Sequence, residues 1–145
     1  MATYSAETAL DYLGGTPPMQ RDYDLGMSKM VSQDDVLVVV DAANITPVPV
    51  TGTWTYDIRF HLETAAGEIV PYNGTIAATA AESTSGGGQA DPVDSTPAVV
   101  DGLGKVTFAG TSGTWANNDT ATLTLTHTNL RGGTDTDTWI VTFTT

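Results

Sequence analysis

Four residues that could share a proton-transfer task occupy alternate positions of one stretch: Asp57, Arg59, His61 and Glu63. Carboxylates, a cation and a histidine on one face are the parts that general acid–base chemistry uses. Alternate side chains of a strand stand about 6–7 Å apart, too far for a direct hydrogen bond without a partner strand. The plainer reading is a solvated face with cross-strand charge pairs. His127, the second histidine, continues the face of Leu123 and Leu125, which suits the edge of a core or the end of a sheet. With no cysteine and no His-x-x-x-His spacing there is no zinc pattern, thiol nucleophile or disulfide framework. Oxygen-rich turns at Asp91 and Asp94, at Asn117, Asn118 and Asp119, and at Asp135 and Asp137 could gather around calcium. None fits the EF-hand loop, and Asn and Asp also populate turns to bond their own backbone. The expectation is no cofactor, no metal and no enzyme.

Two further features suit binding rather than catalysis. Thr122, Thr124, Thr126 and Thr128 form a ladder on one face, an array that can match ice or sugars or be ordinary strand surface. Among the tryptophans, alternation assigns Trp54 and Trp139 to the core. Trp115, flanked by turn residues, is the candidate surface platform for stacking on a sugar ring.

The element that must position the acid–base set is residues 53–63. Trp54, Tyr56, Ile58, Phe60 and Leu62 alternate with polar residues, so one face is apolar and the other wet. A helix would scatter those five around its circumference. Residues 36–40 read as a short strand buried on both faces, and Pro47 and Pro49 make 45–50 an extended connector or edge. Residues 68–72 return the chain, and Asn73-Gly74 signals a hairpin into 75–80, completing a three-stranded meander. Residues 82–96 read as a flexible, low-complexity loop. Four more strands follow at 98–100, 105–109, 121–128 and 138–144, with turns between them. Eight or so short strands predict an all-β, two-sheet antiparallel sandwich, immunoglobulin-like or jelly-roll-like, over 36–145.

Residues 1–35 differ from this pattern and form an N-terminal arm. Ser5 is placed to cap a short helix through about residue 13, ended by Gly14-Gly15, and Thr16-Pro17-Pro18 then forces an extended path. The arm carries more apolar surface than a solvated tail, so it is expected to dock on a partner through Tyr12, Leu13, Tyr23, Met27 and Met30.

The bulk numbers bound the partners. The chain has 145 residues, enough for one domain with its own core, and only 15% are charged. Threonine, present 26 times, supplies the polar strand surface instead. Five basic against 17 acidic residues give a net charge of −12, which repels phosphate backbones and anionic lipid heads. Nucleic acid and membrane are therefore not expected partners. Residues 1–10 lack the basic start and apolar run of a secretory signal peptide, and no stretch reaches the roughly 18 apolar residues of a membrane span.

Val100-Asp101-Gly102-Leu103-Gly104-Lys105-Val106-Thr107-Phe108, continued by Thr120-Ala121-Thr122-Leu123-Thr124-Leu125, resembles bacterial and phage immunoglobulin-like repeats. With its cysteine-free body and its arm, the whole chain resembles a small virion protein of a tailed phage. That resemblance implies an arm lying on the capsid lattice, with the β domain on the particle exterior. It implies a decoration or cement role, with the major capsid protein or other virion subunits as partners and homo-oligomers open. The alternative expectation is a carbohydrate- or receptor-binding module of a tail fibre or secreted protein, using Trp115 with the loops 82–96 and 129–137.

Overall fold

The computed structural model describes residues 36–144 together with residues 5, 6, 8 and 9. The chain divides into two units, Met1–Ser32 and Gln33–Thr145. In the first unit two short strands, β1 (Ser5–Ala6) and β2 (Thr8–Ala9), pair in parallel. These four positions of the expected helix are therefore extended. The remainder of the helix, and the docking candidates Tyr12, Leu13, Tyr23, Met27 and Met30, lie outside the described residues.

The second unit is an all-β sandwich of nine strands. They are β3 (Leu37–Val40), β4 (Trp54–Glu63), β5 (Gly74–Thr75), β6 (Ala77–Ser83), β7 (Gln89–Pro92), β8 (Ala98–Val100), β9 (Leu103–Ser112), β10 (Thr120–Thr128) and β11 (Thr134–Thr142). One sheet runs β3-β4-β9-β8-β5, with β7 sharing the far edge of β9; the other runs β11-β10-β6. Every pairing between these strands is antiparallel. The order places β3, β4, β9 and β8 as strands A, B, E and D of an immunoglobulin sandwich, and β6, β10 and β11 as C, F and G. Ile45 then bridges Val141 in parallel, so the chain leaves the first sheet after β3 and joins the edge of the second.

The core follows from period-two alternation. Ile58, Phe60 and Leu62 of β4, Val106 and Phe108 of β9, and Leu123 and Leu125 of β10 are all buried, as are Trp139, Val141 and Phe143. Trp54 packs edge-on against Phe108 (5.3 Å) and Trp115 (5.6 Å), and Trp115 stacks on Phe143 at 4.6 Å. Aromatic pairs in these geometries add about 0.5–1.5 kcal/mol beyond the area they bury. Deleting one such ring costs about 3–5 kcal/mol.

Three local expectations are corrected. Residues 36–40 yield an edge strand: of Leu37–Val40 only Val38 is fully buried. Asn73-Gly74 does not turn a hairpin: Gly74 enters β5, which pairs with β8, and the next strand, β6, joins the opposite sheet. Gly74 lacks the positive φ of a type I′ turn; it serves close approach, because a Cβ there would lie 2.5 Å from the Tyr72 hydroxyl. The two-residue turn with both φ values positive is Asp101-Gly102 (51° and 81°), which joins β8 to β9. Finally, the stretch 82–96 contains β7, and its turn is fastened to the Asp119 carboxylate.

Candidate functional site

The alternating face of β4 delivers Asp57, Arg59, His61 and Glu63 to the outside of the larger sheet, but as two separate clusters. Asp57 accepts hydrogen bonds from Thr107 (2.7 Å) and Lys105 (3.0 Å) on the neighbouring β9. Those two bonds hold its carboxyl below the usual carboxylate range. Four residues further on, His61 lies between carboxylates, with Nδ1 2.5 Å from Asp41 and Nε2 3.2 Å from Glu63. Burial disfavours the imidazolium, yet the bonds to Glu63 and Asp41 outweigh it and raise the His61 pKa. With both ring nitrogens engaged, the ring acts as a cationic clamp that ties the end of β3 to β4. A general base needs a free nitrogen, so this arrangement suits structure better than proton transfer.

The oxygen-rich turns do not converge on one point either. Asp119, only 3% exposed, sits where the turn after β9 meets the turn after β6. Its carboxylate accepts from the N–H of Ala116 (2.7 Å) and Ser85 (2.6 Å), and from the hydroxyls of Ser85 (2.9 Å) and Thr84 (3.0 Å). The Ala116 bond, then opposing burial, then the Ser85 and Thr84 bonds leave the acid well below its ordinary pKa. A carboxylate so fully occupied is a staple for residues 84–88 rather than a free ligand. Asn129 plays a smaller version of that part, its Oδ1 accepting the N–H groups of Arg131 and Gly133. Among the described residues no group of three or more His, Cys, Asp or Glu side chains could hold a metal ion.

Asp135 and Asp137 do something the sequence reading did not find. Both stand on the inner row of β11, opposite His127 and Leu125. Asp135 accepts the N–H of Val38 at 2.7 Å and Asp137 that of Val40 at 2.8 Å. These are amides on the edge of β3 that β4 does not pair. On the opposite flank Glu82 of β6 accepts the N–H of Ala90 on β7 at 3.1 Å. Carboxylates of the smaller sheet thus cap edge amides of the larger one on both sides. The partners of Asp135 and Asp137 are 97 residues away in sequence, and only the period-two register showed that these side chains face inward.

His127 is 2% exposed, as its place beside Leu123 and Leu125 implied, and its ring packs edge-on to Tyr72 at 5.2 Å. Burial lowers its pKa, and Asp135 opposes that shift weakly. A cavity of about 220 Å³ lies at this end of the sandwich, lined by His127, Asp135, Val36 and Thr134 among others. Trp115 is a correction: it is fully buried, 0% exposed, and offers no platform for a sugar ring. Its turn position is real, but the turn folds inward and its ring closes the end of the aromatic core.

What remains outward on the smaller sheet is a continuous neutral surface. The threonine ladder of β10 lies between Ala77, Thr79, Ala81 and Ser83 of β6 and alternate residues of β11. The central rows read Ala77–Thr126–Thr136, Thr79–Thr124–Thr138 and Ala81–Thr122–Ile140. Every outward position of these three strands is Thr, Ser, Ala or Ile.

No protein-family model and no curated protein matches the chain. Among solved structures, a conjugative transposon lipoprotein from Bacteroides eggerthii is similar at 10% identity and a TM-score of 0.45, over 74% of this chain and 96% of that one.

Proposed function

We propose that this chain is a structural, adhesive protein of a virion, which decorates or cements a phage capsid through its N-terminal 35 residues. The sandwich is the part displayed on the particle exterior, and capsid subunits are the partners. The observation that carries this reading is how the domain uses its polar groups. Glu82, Asp119, Asp135 and Asp137 bind the domain's own backbone, and His61 binds two of its own carboxylates. The outer face of the smaller sheet offers hydroxyls and methyls. A fold so arranged supplies a durable, self-contained body and leaves attachment to the arm and to repeated weak contacts. The sugar-binding alternative loses its platform with the burial of Trp115.

Quantitative mass spectrometry of density-purified particles tests the location: copies near the number of shell subunits are expected, and absence from particles refutes it. A chain lacking residues 1–30 should fold with an unchanged denaturation midpoint and fail to bind particles that lack it. Particle binding that survives the deletion sinks the arm's role.

A further inference from the structure

We infer that the outer face of the β6-β10-β11 sheet is a self-association surface, and that its occupant is the same face of a second copy of this chain. The argument starts from charge. The chain carries −12, so most pairs of surfaces on two copies bring carboxylates together at a cost in repulsion and desolvation. The strands of the smaller sheet contain acidic residues, but Glu82, Asp135 and Asp137 sit on the inner rows and their carboxylates are bound to amides of the other sheet. The outward rows are left neutral. The larger sheet shows the reverse pattern, with Asp57, Arg59, His61, Glu63 and Lys105 all on its outer face. Two copies meeting through their smaller sheets oppose no like charges.

The chemistry of the face fits an isologous contact. In a two-fold arrangement centred on Thr124, each threonine row meets a threonine row, and each hydroxyl both donates and accepts. The methyl groups of Thr, Ala77 and Ala81 and the side chain of Ile140 supply apolar area between the hydroxyls. The size sets the strength. Three strands about 4.8 Å apart, of seven, nine and nine residues at about 3.4 Å per residue, cover roughly 400 Å² in plan. That is about half of the roughly 800 Å² per partner of a stable complex. The contact is therefore weak between free molecules. It becomes effective when neighbouring copies are held at a local concentration near millimolar, as on an array. The inference concerns the purified chain and stands whether or not the virion reading does.

Sedimentation equilibrium of the full chain up to about 1 mM, at 50 and 500 mM NaCl, tests it. A monomer–dimer equilibrium is expected, tightened at least several-fold at the higher salt because the residual repulsion is screened. Thr124→Lys places a charge on the symmetry axis and should abolish dimerisation. Thr55→Lys, on the outer face of the other sheet, should leave it unchanged. Thr124→Val keeps the shape and should still dimerise, which separates a lost interface from a lost fold. A wild-type chain that stays monomeric at 1 mM and 500 mM NaCl overturns the proposal. So does association that survives Thr124→Lys, since it must run through another surface.

Discussion

The two sheets of this sandwich place their acidic residues in opposite ways. On the larger sheet Asp57 lies on the outer face, in an ion pair whose partners are 50% and 55% exposed. Pairs of that kind add little to stability, because water already solvates both ions and ordering two long side chains costs entropy. On the smaller sheet the carboxylates turn toward the sandwich and each replaces water around a backbone amide. A charged acceptor makes a stronger hydrogen bond than a neutral one, and a buried amide without a partner is costly. Position relative to the sheets therefore decides what a carboxylate contributes. The same arrangement explains how a strongly acidic domain has one face without charge.

The sharpest test of this contrast is Asp119→Asn. The asparagine carries one carbonyl oxygen where five donors now converge, and its own N–H₂ meets amides that need an acceptor. A fall in melting temperature on the order of 15 °C is expected, with increased hydrogen exchange at residues 84–88. The wild-type dependence on acid has a defined sign. The folded pKa of Asp119 is depressed, so its contribution is complete above the ordinary carboxylate pKa and is lost as pH falls through the folded value. The variant should show a shallower loss of stability than wild type on acidification, by circular dichroism from pH 5 downward. An Asp119→Asn melting point within 3 °C of wild type would break the comparison at its strongest point.

A smaller effect belongs to the edge caps. Asp135→Ala leaves the amide of Val38 without its carboxylate in a residue 4% exposed, and should cost about 1–2 kcal/mol in denaturant unfolding. Asp57→Ala, the matched deletion on the outer face, should leave the denaturation midpoint where it is. Equal losses from the two would mean that location relative to the sheets does not matter.

How far this architecture was legible in the sequence varies with the range of the interaction. Strand β4, strand β10 and the second half of β11 announce themselves by alternation, since their inward residues are mostly the apolar ones that close the core, and the all-β sandwich follows. The hairpin assigned to Asn73-Gly74 failed because the dipeptide signal is local. The crossing of β6 to the other sheet is a tertiary outcome that overrode it. The loop 82–96 concealed β7 for a related reason: Gln-Ala-Asp-Pro has little strand propensity and is held by pairing with β9. Trp115 looked like a surface residue because its neighbours are turn-formers, yet a turn can cap a core. The carboxylate caps were the least legible. Asp135 and Asp137 read as turn or calcium residues until the register of β11 against β10 showed which way they face.

The smallest effect, and the one that separates the two sheets most cleanly, comes from the two histidines. His61 lies on the outer face of the larger sheet between Asp41 and Glu63, and its pKa is raised. It therefore stabilises the fold fully below the ordinary histidine pKa of about 6.5, and that stability fades as pH rises through the folded value. His127 lies inside, and burial lowers its pKa. Its contribution is complete above about 6.5 and fades as pH falls through the folded value. In the intact domain the two slopes oppose each other. Removing one exposes the other. Relative to wild type, His61→Gln should gain stability as pH rises from 5 to 8, and His127→Leu should lose it over the same range. Melting temperatures at four pH values suffice to measure both, and shifts of a few degrees or less are expected. Slopes of the same sign would show that the two histidines share one environment, and the division between an exposed, ion-paired face and an inward-turned one would fail with them.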